Sequence, residues 1–126
     1  MRTFRLEKLV RKGVFESMQA LGQKVVYRVL GHKDHQVRLV DKIIEEAREF
    51  DPERPENDEL VDILQAYDDL AIARGTTLEA LRKLQLERKS AVGGFEEAIF
   101  VETVGVPDGD EWADYYAKEP DRFPEE

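Results

Sequence analysis

Between Gln36 and Gly75 the chain carries two amphipathic helical patterns, QVRLVDKIIEEAREF and ELVDILQAYDDLAIARG, joined by the eight-residue turn DPERPEND. This stretch constrains the fold most, because helices joined by a short connection pack side by side and antiparallel. In the first pattern Val37, Val40, Ile44 and Ala47 recur at intervals of three and four, with Ile43 and Phe50 widening the stripe. That is the spacing of one apolar helix face. In the second, Leu60, Ile63, Leu64, Tyr67 and Leu70 form the stripe. Pro52 and Pro55 mark the turn, and Asn57 or Asp58 starts the second helix.

Each pattern also carries carboxylates at helical spacing. Glu46 and Glu49 are three apart, with Glu45 four before Glu49, and Glu59 and Asp62 repeat the three-residue interval, so each pair leaves one side of its helix. Antiparallel packing would bring the pairs together. Two carboxylates ~6 Å apart at an effective dielectric near 20 repel by about 3 kcal/mol, so four converging acids need a cation. An all-oxygen set suits Mg²⁺ or Mn²⁺, whereas zinc normally brings His or Cys. In a chain with 37% charged residues one such pair is also what a solvated helix face carries. The recurrence of the spacing on the next helix favours a site.

Glu45-Glu46-Ala47-Arg48-Glu49 followed by Glu59-Leu60-Val61-Asp62 resembles the EExxE and ExxD metal-binding motif of the all-α nucleotide pyrophosphohydrolases, the MazG-like and phosphoribosyl-ATP pyrophosphohydrolase-like superfamily. Within it, the chain is most similar to a branch of small house-cleaning pyrophosphatases. The landmarks are KLVRKGV from Lys8, YRVL from Tyr27, KIIEEAREF from Lys42, ELVDILQA from Glu59 and VGGF from Val92. The resemblance covers residues 8 to 104. It implies a mainly α, MazG-like helical bundle completed by homodimerisation. It further implies hydrolysis of a nucleoside triphosphate between the α and β phosphates, giving monophosphate and pyrophosphate. Glu46, Glu49, Glu59 and Asp62 match the metal-ligand positions, and Glu45 matches the position that activates or orients water. Lys8, Arg11 and Lys89 match basic positions expected to contact phosphates, although Lys8 and Arg11 are equally readable as surface bases paired with carboxylates. Two departures stand out: Lys12 replaces the family's Asp, and Val92 replaces the Arg before the glycine pair. They leave room for two alternatives, a non-catalytic helical binding protein that kept the fold, and the related enzyme acting on phosphoribosyl-ATP.

The rest of the chain is read from its residues. A helical segment is expected within 1 to 22, with a break or late start at Gly13 and a stop at Gly22. KVVYRVL (Lys24 to Leu30) and AIFVETV (Ala98 to Val104) are β-branched and aromatic, which predicts a short two-stranded ribbon. Asp34 is a candidate N-cap for the first carboxylate helix. His32 and His35, three apart, are read as solvent-exposed, and Asp69, seven after Asp62, shares its face. Thr76 or Thr77 caps a further helix with Leu78, Leu81, Leu84 and Leu86 as apolar residues and Arg82, Lys83, Arg88 and Lys89 as a basic group.

At 126 residues the expectation is one pyrophosphohydrolase domain over 1 to 106 and an acidic tail over 107 to 126. Trp112, Tyr115, Tyr116 and Phe123 give that tail apolar anchors, which disordered acidic tails lack, so part of it is expected to dock on the body or on a neighbouring subunit. The formal net charge of −9 argues against binding polymeric nucleic acid, which needs a basic footprint, but not against a nucleotide whose charge a metal offsets. No apolar run approaches the ~20 residues that span a bilayer. The basic start leads into no apolar signal region, and there are no cysteines. These features fit a cytoplasmic protein without membrane partners.

Overall fold

The computed structural model describes residues 1–54 and 56–126. Its secondary structure is helical, in the order α1 (Lys12–Ala20), α2 (His32–Arg48), α3 (Asp58–Ala73), α4 (Leu78–Val92) and α5 (Glu111–Ala117). The chain divides into two compact units, Met1–Ala91 and Val92–Glu126.

In the first unit α2 and α3 are the helices that pack along each other. Leu39 on α2 and Ala66 and Ala71 on α3 are buried, and the two alanines let the helix backbones approach closely. The packing row of α2 is Leu39, Ile43 and Glu46, with Lys42 beside it; on α3 it is Glu59, Asp62, Ile63, Ala66 and Leu70. This differs from the expected stripes. Val37, Val40 and Ile44 on α2, and Leu60, Leu64 and Tyr67 on α3, lie more than two fifths exposed. Each helix therefore has a second apolar side, and the pair buries the side that also carries carboxylates.

The helix ends follow local chemistry. Gly22 (φ +73°) and Gly75 (φ +79°) follow α1 and α3 in the left-handed region. The Gly75 N–H donates to the Ile72 carbonyl and the Thr76 N–H to the Ala71 carbonyl, the paired bonds of a Schellman stop. Thr77, the second of the two threonines the sequence offered, accepts the Ala80 N–H at 3.1 Å and caps α4. Asp34 does not cap α2. The helix begins at His32 with Gly31 at the cap position, which leaves Asp34 in the first turn, where its charge still complements the helix dipole. The first helix starts late, at Lys12. In the turn, the Arg54 N–H donates to the Asp51 carbonyl and the Glu53 N–H to the Asp51 carboxylate; Pro55 lies outside the described residues.

The β ribbon is not formed. Residues 24–30 and 98–104 are non-helical but belong to no strand among the described residues, and the two segments fall in separate units. β-Propensity expresses the fit of a side chain to a half-buried pleated surface, and Val26, Val29 and Phe100 are almost fully exposed. An isolated pair of strands is marginal even when its register is favourable. Tyr27 instead stacks edge-on against Phe15 of α1, 4.6 Å between centroids.

Alongside α3, α4 bounds a groove of about 860 Å³ lined by Leu64, Tyr67, Leu78, Leu81 and Leu86. The second unit contains α5, whose cap Asp110 accepts the Trp112 N–H at 2.9 Å. Its aromatics pack on one another, with ring centroids 5.4 Å apart for Trp112 and Tyr115 and 5.1 Å for Tyr116 and Phe123. Among the described residues no helix is long and apolar enough to cross a membrane.

Candidate functional site

The carboxylates singled out by spacing occupy the end of the α2–α3 interface opposite Ala71. Glu46 and Glu59 point inward, their side chains 10% and 13% exposed, and Glu45 and Asp62 are more open. Helical spacing explains the arrangement: Glu46 lies seven after Leu39, and Glu59 and Asp62 precede Ala66 by seven and four, so the acids extend the rows that form the core.

Each of these four acids meets a base. Lys8 Nζ donates to Glu45 Oε1 at 3.2 Å, and Arg11 Nη2 donates to Asp62 Oδ1 at 2.7 Å. Lys42 Nζ lies 3.1 Å from Glu45 Oε2 and 3.5 Å from Glu46 Oε1. Arg54 Nη1 is 3.6 Å from Glu59 Oε1. Glu49 has no ion-pair partner among the described residues. Four bases thus face five acids, and the excess negative charge is felt inside. Burial, then the charge of Glu49, raises the Glu46 pKa above the ordinary glutamate value, with Asp62 adding to it against the opposing pull of Lys42. Glu45 goes the other way: burial pushes it up, but hydrogen bonds and charge from Lys42 and Lys8 outweigh that and hold it below the ordinary value. Carboxylates adjacent in sequence are therefore tuned in opposite directions.

Two clefts open beside the segment that leads into α1. One of about 480 Å³ is lined by Leu6, Lys8, Lys42, Ile44, Glu45 and Arg48 among others. The other, of about 200 Å³, brings Arg11, His35, Lys42, Glu46, Asp62 and Asp69 to one hollow. Lys8 and Arg11 are thus brought to the acids, whereas Lys89, in the last turn of α4, lines neither cleft. His35 is half-buried in the smaller hollow, unlike the exposed histidine expected, because α2 begins ahead of it.

Lys42 and Arg54 were not singled out from sequence. For Lys42 a signal existed, since it stands three and four before Glu45 and Glu46, a spacing that makes helical ion pairs. Arg54 lies in a turn, where no periodicity marks a partner.

An all-carboxylate donor set fits a hard divalent cation in chemical type. As the side chains stand they do not close on one point: among the described residues no three His, Cys, Asp or Glu side chains gather so as to hold a metal ion. No protein-family model, no curated protein and no solved structure matches the chain. The class that fold and site define is thus a mainly helical protein with an ion-paired acidic cluster built into the interface of two antiparallel helices.

Proposed function

We propose that the chain is a metal-dependent nucleoside triphosphate pyrophosphohydrolase that cleaves between the α and β phosphates and clears aberrant nucleotides in the cytoplasm as a homodimer. The observation that carries this reading is the placement of Glu46, Glu59 and Asp62 on the packing rows of α2 and α3, with Glu46 buried beside the charges of Glu49 and Asp62. Burying like charges at a helix interface is costly, and a site that takes a cation gives them a purpose. The EExxE and ExxD spacing on neighbouring helices supports the same reading.

On this reading Glu46, Glu49, Glu59 and Asp62 would hold Mg²⁺ or Mn²⁺, which would polarise the phosphate oxygens and offset their charge. The chain's own residues supply the rest. Glu45, kept ionised by Lys42 and Lys8, is suited to accept at a carboxylate oxygen the proton of the attacking water, whose oxygen would bond to the α phosphorus as the bridging P–O bond to the β phosphate breaks and pyrophosphate leaves. Lys8, Arg11 and Lys89 are the bases assigned to the phosphates. Dimerisation is supported by the exposed Val37, Val40 and Ile44 row of α2, which lacks a packing partner within the α2–α3 pair and would add helices to the bundle in a second copy. Light scattering at the mass of two chains is the expected result.

The test is pyrophosphate release from a panel of ordinary, deoxy and modified nucleoside triphosphates with Mg²⁺ and Mn²⁺, with Glu49→Gln in parallel. Release by the wild type and none by the variant is expected; equal release refutes the site. One observation favours a second reading, a non-catalytic binding protein: Glu45, Glu46, Glu59 and Asp62 already have basic partners. Metal binding with silence across the panel and with phosphoribosyl-ATP would select it.

A further inference from the structure

The smaller hollow, of about 200 Å³, extends beyond the acids assigned to a cation. Along α3 it is lined by Asp62, Gln65, Ala66 and Asp69 in turn, seven residues or about 10 Å of helix. Leu39 and Ala66, which also line it, are buried, and Leu9 is half-buried, so the hollow offers apolar surface as well as charge. Asp69 differs from the other acids there. Glu46 and Asp62 each meet a base, whereas Asp69 has no ion pair among the described residues. Gln65 Nε2 donates to Asp69 Oδ2 across a long 3.4 Å, and Oδ1 has no protein partner among the described residues.

We propose that this hollow is a nucleobase subsite in which Asp69 selects guanine. Among the common bases, guanine presents two adjacent N–H donors on one edge, N1–H and the 2-amino group, and a carboxylate offers two acceptor oxygens side by side to receive them. The flat faces of the base suit the apolar surface of Leu9, Leu39 and Ala66. This base site rests on the nucleotide reading of the preceding subsection and deepens it by naming the substrate class. With the phosphates held at the Glu46 and Asp62 end, the length of α3 from Asp62 to Asp69 leaves room for the sugar between phosphates and base. A base with oxygen at position 2 sets an acceptor against the carboxylate and is rejected. Asp69 reads that edge alone, so guanines altered elsewhere on the ring enter as well.

The experiment is pyrophosphate release with Mg²⁺ from guanosine, inosine and xanthosine triphosphates, which differ at position 2 of the base, compared as ratios of kcat/KM. The wild type is expected to prefer the guanosine over the inosine nucleotide, which lacks the amino group, by about three- to tenfold, the worth of one hydrogen bond to an exposed charged acceptor. Its preference over the xanthosine nucleotide is expected to be larger. Asp69→Asn, whose amide accepts from N1–H and donates to the 2-oxo group, is expected to reverse the order of guanosine and xanthosine nucleotides. Asp68→Asn removes an equal charge one residue away, outside the hollow, and is expected to leave the ratios unchanged. Inosine turned over as well as guanosine by the wild type, a guanosine-to-xanthosine ratio that Asp69→Asn leaves where it was, or one that Asp68→Asn shifts as much, overturns the guanine site and leaves the pyrophosphohydrolase standing. Release from other nucleoside triphosphates but from none of these three does the same. No release from any nucleoside triphosphate overturns both.

Discussion

Replacing Glu46 by Gln should make the metal-free protein more stable, although it removes an assigned metal ligand. Glu46 lies in the α2–α3 interface, repelled by Glu49 on its own helix and by Asp62 across the interface. It is held by one lysine contact at 3.5 Å. A like-charge pair at this spacing costs roughly 0.2–0.5 kcal/mol, the cross-helix repulsion a similar amount, and relief of burying a charge adds to both. Against these stands the lost charge on the Lys42 pair, about 0.3–0.5 kcal/mol; Gln keeps the shape and an acceptor for Lys42. The net gain is about 0.5–1 kcal/mol, which for a folding unit of roughly 90 residues raises Tm by about 3–5 °C. The pH dependence identifies the cause. A carboxyl whose folded pKa lies above its unfolded value binds more protons when folded, so its cost is absent below the ordinary value of 4.5 and grows as pH rises through the folded pKa. The advantage of Glu46→Gln should be near zero at pH 4 and full at pH 7. Glu45, shifted the other way, contributes stability above 4.5 that is lost as pH falls through its folded pKa, and it does so in both proteins. Thermal unfolding followed by circular dichroism in chelator, from pH 4 to 8, makes the comparison. A variant less stable than wild type at pH 7, or a gain that persists in acid, would refute the electrostatic account.

Other substitutions probe the packing and the caps. Leu39→Ala truncates the one large apolar side chain that is buried among the described residues, at 4% exposure, and should cost about 2–3 kcal/mol, read as a lower urea midpoint at unchanged m; a loss under ~1 kcal/mol would show that α2 and α3 do not depend on this contact. Thr77→Ala removes the acceptor for the Ala80 N–H and should weaken the α4 start by about 1 kcal/mol, seen as faster amide exchange in its first turn, with Ser restoring most of the protection.

The sequence alone determined the helices of the carboxylate pair, the glycine stop after α1 and a threonine cap at the start of α4, because helical period and turn chemistry are local properties that neighbouring residues dictate. Lys24 to Leu30 and Ala98 to Val104 looked like strands for the same local reason, yet a strand exists only where a partner supplies the ladder, and neither found one. The rotation of α2 was a tertiary decision: the helical period put Val37, Val40 and Ile44 on the core face, but packing against Ala66 and Ala71 buries the row of Leu39 and Ile43 instead and carries Glu46 inward. Which base meets which acid was a tertiary decision too. Lys8 and Glu45, Arg11 and Asp62 stand 37 and 51 residues apart, and nothing in a one-dimensional pattern pairs charges across that distance until the fold brings them within a hydrogen bond.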